Sequence, residues 1–153
     1  MRTWSGACGE PVADPAGGLT HLFPDPRALA SLDPAVLALP QARRTTLTTL
    51  VGALAGGEVD LGPASDWRQV RAQLACLPGV GPWTIETIAM RALGDPDASV
   101  PTDLGIQRAT RDVGLPSTVA GLTGHAAAWW PWRAYAVQYL WATGNPAVNR
   151  LPA

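Results

Sequence analysis

Three short segments carry residue types that could do chemistry. The first, Leu77-Pro78-Gly79-Val80-Gly81-Pro82-Trp83-Thr84, sets two glycines two residues apart directly before a helical pattern. Glycine tolerates positive φ, so such a turn can reverse tightly and leave backbone amides exposed. A helix N-terminus adds unpaired amides and the positive end of its dipole, a combination that suits one phosphate without reading any base. Pro82 has no N–H, so the donors would be the amides of Gly79, Gly81 and Thr84, with the Thr84 hydroxyl beside them. An ordinary connection between helices accounts for these eight residues equally well.

The second segment, Val100-Pro101-Thr102-Asp103-Leu104, puts a carboxylate at the first turn of a helix, where propensity alone makes it an N-cap. The third runs from Trp129 to Trp141 and holds four of the seven tryptophans. On a helix Trp132, Tyr135 and Tyr139 share one face, while Trp141 points nearly opposite, beside Ala134 and Val137. Aromatic stripes are usually core, yet so many indoles also suit a slot for a flat, cationic ring.

Charge narrows the chemistry. The 11 basic residues are all arginine against 12 acidic ones, for a net charge of -1. Without lysine there is no lysine Schiff base and no phosphate-binding Walker lysine. A near-neutral chain lacks the broad basic footprint of most nucleic-acid binders, so DNA binding would rest on local geometry. Cys8 and Cys76 match no zinc, redox or iron-sulfur spacing and read as plain thiols. His21 and His125 read as surface or structural residues, and Glu86 as a solvated charge.

The elements that must hold these segments are helices. With 153 residues, 47% apolar and 15% charged, the chain is globular, either one domain or two small subdomains. No apolar run approaches the roughly 18 residues of a membrane span, and the start does not read as a secretory signal, so a cytoplasmic protein is expected. Apolar residues recur at three- and four-residue spacing, which predicts an all-α fold. Helices are expected over about 27–32, after Asp33 and Pro34, over 40–55, after a Ser65 cap, and over 83–93, 104–112, 125–130 and 131–142. The corresponding domains are an irregular start (1–18), a helical subdomain (19–94, with the hairpin pair at about 65–93), a second helical subdomain (95–148) and a tail (149–153).

In their order and spacing the three segments resemble the helix-hairpin-helix DNA glycosylases, within them the C-terminal part of the bacterial 3-methyladenine DNA glycosylase II branch. Gly18-Leu19-Thr20-His21-Leu22-Phe23-Pro24 also looks like this branch, so the resemblance runs from about Gly9 onward. It implies a helical bundle, N-terminally truncated, that hydrolyses the N-glycosidic bond of alkylated purines such as 3-methyladenine. Asp103 would be the catalytic carboxylate, and Trp141, Trp132 and Tyr135 would line the base pocket. Gly79, Gly81 and Thr84 would bind a DNA phosphate. Main-chain oxygens of Ala75, Leu77 and Val80 would hold a Na or K ion, with no cofactor required. In relatives that also cut the strand a lysine stands at the place of Trp83, so this chain would be monofunctional. Its partner would be double-stranded DNA with alkylated bases, with no membrane and no obligate protein partner, in a bacterial cytoplasm near the nucleoid. Relative to the family, a Gln-Gln-x-Ser-like helix, the duplex wedge it carries and a mixed α/β domain are missing, with Met1-Arg2-Thr3-Trp4 as a worn remnant of that helix. Exposed apolar surface is therefore expected, and the alternative function is an inactive fragment that binds DNA non-specifically.

Overall fold

The computed structural model describes residues 6, 8–14, 17–36 and 39–143. The expected helix remnant at Met1 to Trp4 and the tail at 149–153 lie outside the described residues. Within the described residues seven α-helices have defined bounds, and the only extended pairing is one antiparallel bridge between Pro11 and His21. The chain forms two compact units, the first from residues 1–61 and 72–80, the second from 62–71 and 81–153.

In the first unit α1 (Pro26–Ala30) starts at Asp25, whose carboxylate accepts from the Ala28 amide at 2.8 Å, with proline at the first helical position. A single 3-10 turn (Pro34–Val36) follows, its Ala35 amide donating to Asp33. α2 (Gln41–Gly56) packs against α1 and ends at Gly57, whose φ of 77° is the left-handed stop that glycine provides. Four threonines inside α2 (Thr45, Thr46, Thr48 and Thr49) return their hydroxyls to carbonyls one turn back, which satisfies the hydroxyls within the helix. Val51, Ala53, Val59, Leu74 and Val80 are buried in this unit.

α3 (Trp67–Ala75) begins in the second unit and ends in the first. Its cap is Asp66, which accepts from the amides of Arg68 and Gln69, and not Ser65 as the sequence suggests. The Ser65 hydroxyl is instead buried without a hydrogen-bond partner.

The second unit holds α4 (Pro82–Arg91), α5 (Leu104–Asp112), α6 (Val119–Ala126) and α7 (Arg133–Thr143), with a 3-10 turn (Ala127–Trp129) before α7. One apolar core joins them: Ala89 and Met90 from α4, Ala98 and Val100 from the following loop, Ile106 and Ala109 from α5, Leu122 from α6, and Ala134, Val137 and Leu140 from α7. Because α4 shares its core with that loop, the division of the chain differs from the expected boundary at 94 and 95. α6 starts six residues earlier than expected, at a Thr118 cap, because Gly121 and Gly124 dilute the helical pattern there.

Charged groups brace the same unit. Arg71 bonds both oxygens of Glu86 and also Asp95, which is buried, so Glu86 is paired and not a solvated charge. The Glu86 hydrogen bond is the main reason the Arg71 guanidinium holds its proton even more firmly than usual. Arg133 pairs with Asp97 in the same way and holds that carboxyl below its ordinary range. Among the described residues no helix is long and apolar enough to cross a membrane.

Candidate active site

Asp103 stands where the buried Val100 hands the chain to α5. The Asp103 amide bonds the Val100 carbonyl at 3.0 Å, and the Gln107 side chain bonds the Pro101 carbonyl, so the turn is tied at both ends. The carboxylate then does what the local sequence suggests and caps α5, with Oδ1 accepting from the Ile106 amide at 2.9 Å. It also does more. Oδ1 accepts from Trp141 Nε1 at 3.2 Å, and Oδ2 accepts from Trp83 Nε1 at 2.8 Å. Burial pushes the carboxyl up, but the Ile106 amide, the two indoles and the Gly105 amide outweigh it and hold Asp103 below the usual carboxylate range. At neutral pH the site therefore presents a fixed anion between two aromatic rings.

α7 supplies the rest in two groups. Ala134, Val137 and Leu140 face the core, and Trp141 packs against its edge with the Arg91 guanidinium 5.6 Å from its ring centre. Trp132 and Tyr135 pair edge-on at 5.6 Å and, with Tyr139, remain exposed. So the structure brings Asp103 and Trp141 together, while the contacts of Trp132 are with Tyr135. Trp83 as a donor to Asp103 and Arg91 over Trp141 are not visible in the sequence. The signal for Trp83 was present only as an indole at the head of α4, 20 residues from the carboxylate it reaches.

The turn before α4 divides its glycines by role. Gly79 has φ of 82°, and a Cβ there would lie 2.0 Å from Thr46 Oγ1, so both backbone and space require glycine. Gly81 is different from what its spacing suggests: φ is -93° and ψ 171°, ordinary extended backbone, and a Cβ would meet nothing within 4 Å. Gly81 is the N-cap of α4 and offers no side chain to the amides of Trp83 and Thr84, which leaves them open to an external acceptor. Of the three carbonyls expected to hold a monovalent cation, Leu77 accepts one bond from the Val80 amide at 3.1 Å. No turn or capping bond ends on the carbonyls of Ala75 or Val80. No cluster of three or more His, Cys, Asp or Glu that could bind a metal occurs among the described residues.

No protein-family model matches the sequence. The chain is 51% identical over 146 residues to a probable bifunctional transcriptional activator/DNA repair enzyme AlkA of Mycobacterium tuberculosis, covering 95% of this chain and 29% of that protein. It is 33% identical over 124 residues to DNA-3-methyladenine glycosylase 2 of Escherichia coli, covering 79% of this chain and 43% of that one. Among solved structures, the 3-methyladenine DNA glycosylase Mag1 of Schizosaccharomyces pombe in complex with abasic DNA superposes with a TM-score of 0.72 at 22% identity, over 84% of this chain and 67% of that one. In sequence and in fold this chain is similar to the helix-hairpin-helix DNA glycosylases. It spans less than half the length of either curated relative. The all-helical architecture expected from the sequence is the observed one.

Proposed function

We propose that the chain carries the catalytic part of a monofunctional DNA glycosylase that hydrolyses the N-glycosidic bond of alkylated purines such as 3-methyladenine. The observation that carries this reading is Asp103, held as an anion by hydrogen bonds on both oxygens, two of them from indoles. Loss of a base leaves an oxocarbenium-like sugar, and a preorganised anion stabilises that charge without having to reorganise as it develops. Trp141 offers ring area for the extruded base, and the exposed Trp132 and Tyr135 form a separate aromatic pair at the start of α7. The open amides at the head of α4, with Gly79, Gly81 and the Thr84 hydroxyl, would receive a phosphate of duplex DNA. The carbonyls of Ala75, Leu77 and Val80 would hold a Na or K ion.

The product identifies the reaction. A duplex bearing one 3-methyladenine should yield the free base and an abasic site in an intact strand. Borohydride should trap no covalent adduct, because no lysine can form an imine. An imine adduct or a cut strand would contradict monofunctional hydrolysis. Binding of the duplex without release of any base would favour a non-catalytic DNA-binding role.

A further inference from the structure

A carboxylate offers about four lone-pair sites, two on each oxygen. On Asp103 the two of Oδ1 are taken by the Ile106 amide and Trp141 Nε1, whereas Oδ2 accepts from Trp83 Nε1. The two oxygens are therefore held differently: Oδ1 by the head of α5 and by Trp141, Oδ2 by the Trp83 indole. The Trp83 backbone is anchored, while the residue is 44% exposed. Trp83 lies in the first turn of α4, its carbonyl accepts from the Thr87 hydroxyl at 2.7 Å, and α4 shares a core with α5 through Ala89, Met90 and Ile106. Donor and acceptor thus sit on two elements that share one core.

We propose that Trp83 is a positioning residue that aims Oδ2 of Asp103, making that oxygen the working face of the carboxylate while Oδ1 holds the helix. The assignment rests on the glycosylase reading for its consequence and on geometry for its substance. With Oδ2 pinned by one bond, its remaining lone pair has a single direction in which to meet the sugar cation or an incoming water. Without that bond the carboxylate is held at Oδ1 alone, by the Ile106 amide and Trp141, and the Trp83 indole no longer sets the direction of Oδ2. An indole is well suited to the task, since it has one donor, no acceptor and a rigid ring.

Trp83→Phe keeps the ring and removes the N–H. Single-turnover release of 3-methyladenine should slow by about tenfold or more, the scale of one lost hydrogen bond to a charged group. Duplex affinity should stay within about twofold, and the acid limb of the rate profile should move to higher pH because one proton-withholding donor is gone. In the wild-type chain the Trp83 indole proton, assigned by its absence in Trp83→Phe, should shift as Asp103 titrates and lose that response in Asp103→Asn. An unchanged rate and acid limb in a folded Trp83→Phe would overturn the proposal, as would a Trp83 indole resonance indifferent to Asp103→Asn. A wild-type chain that releases no base would sink the glycosylase reading alone, since the indole resonance would still report whether Trp83 holds the carboxylate.

Discussion

At Asp103 the capping role and the proposed catalytic role do not compete, because they use the carboxylate differently. The cap needs only an acceptor for the Ile106 amide, and asparagine serves there about as well as aspartate. Asp103→Asn keeps the cap and should lose less stability than Asp103→Ala, which should lose about 1 kcal/mol in urea denaturation. A loss in Asp103→Asn as large as in Asp103→Ala would mean that the charge, and not the cap, holds the fold. The pH dependence has a definite sign. Since the folded carboxyl lies below its ordinary value, its contribution to stability is complete above about pH 4 and disappears as pH falls through the depressed value. Base release should follow the same ionisation and persist to lower pH than an ordinary carboxylate would allow. A rate that falls between pH 6 and 5 would assign the limiting ionisation to another group.

Among the elements, the hairpin turn offers a sharp contrast between two glycines. Gly79→Ala forces a side chain onto positive φ and into Thr46, so it should lower stability by about 1 kcal/mol or more and disturb the turn that precedes α4. Gly81→Ala should leave the melting temperature nearly unchanged, since its backbone is extended and its Cβ position open. Comparable destabilisation by the two would contradict the observed turn. In the charged brace, Arg71→Met should cost about 3 kcal/mol near neutral pH, because Asp95 is buried and would lose its partner. Recovery of most of that loss in Arg71→Met with Asp95→Asn would show that the stranded charge was the cause; no recovery would point to packing. Much of this level is legible in the sequence: Pro82 and Pro26 at helix starts, Gly57 at a helix stop and Asp103 before an apolar period are local signals. The brace is not legible, because Arg71, Glu86 and Asp95 are separated by 15 and 24 residues and only folding brings them together. The same holds for Trp83 and Asp103. Two glycines at i and i+2 gave no sign of which one needs positive φ, since that depends on the contact of Gly79 with Thr46.

Across the whole molecule the charges balance almost to zero, so under the proposed function attraction to DNA would come from placed groups and not from a broad field. Few phosphate contacts imply binding that is weak, indifferent to sequence and modest in its salt slope. The exposed aromatic residues of α7 and the exposed Leu19, Leu22 and Phe23 of the first unit agree with the apolar surface expected from the sequence. The absence of lysine acts at this scale too, since it removes one class of nucleophile from the whole chain whatever its fold. The most direct measurement is single-turnover release of 3-methyladenine from an alkylated duplex by the wild type and by Asp103→Asn, with duplex binding followed in parallel. The wild type should release the base into an abasic site, and Asp103→Asn should bind equally well and release essentially none. Release by Asp103→Asn at the wild-type rate would contradict the assignment of Asp103 and with it the proposed mechanism.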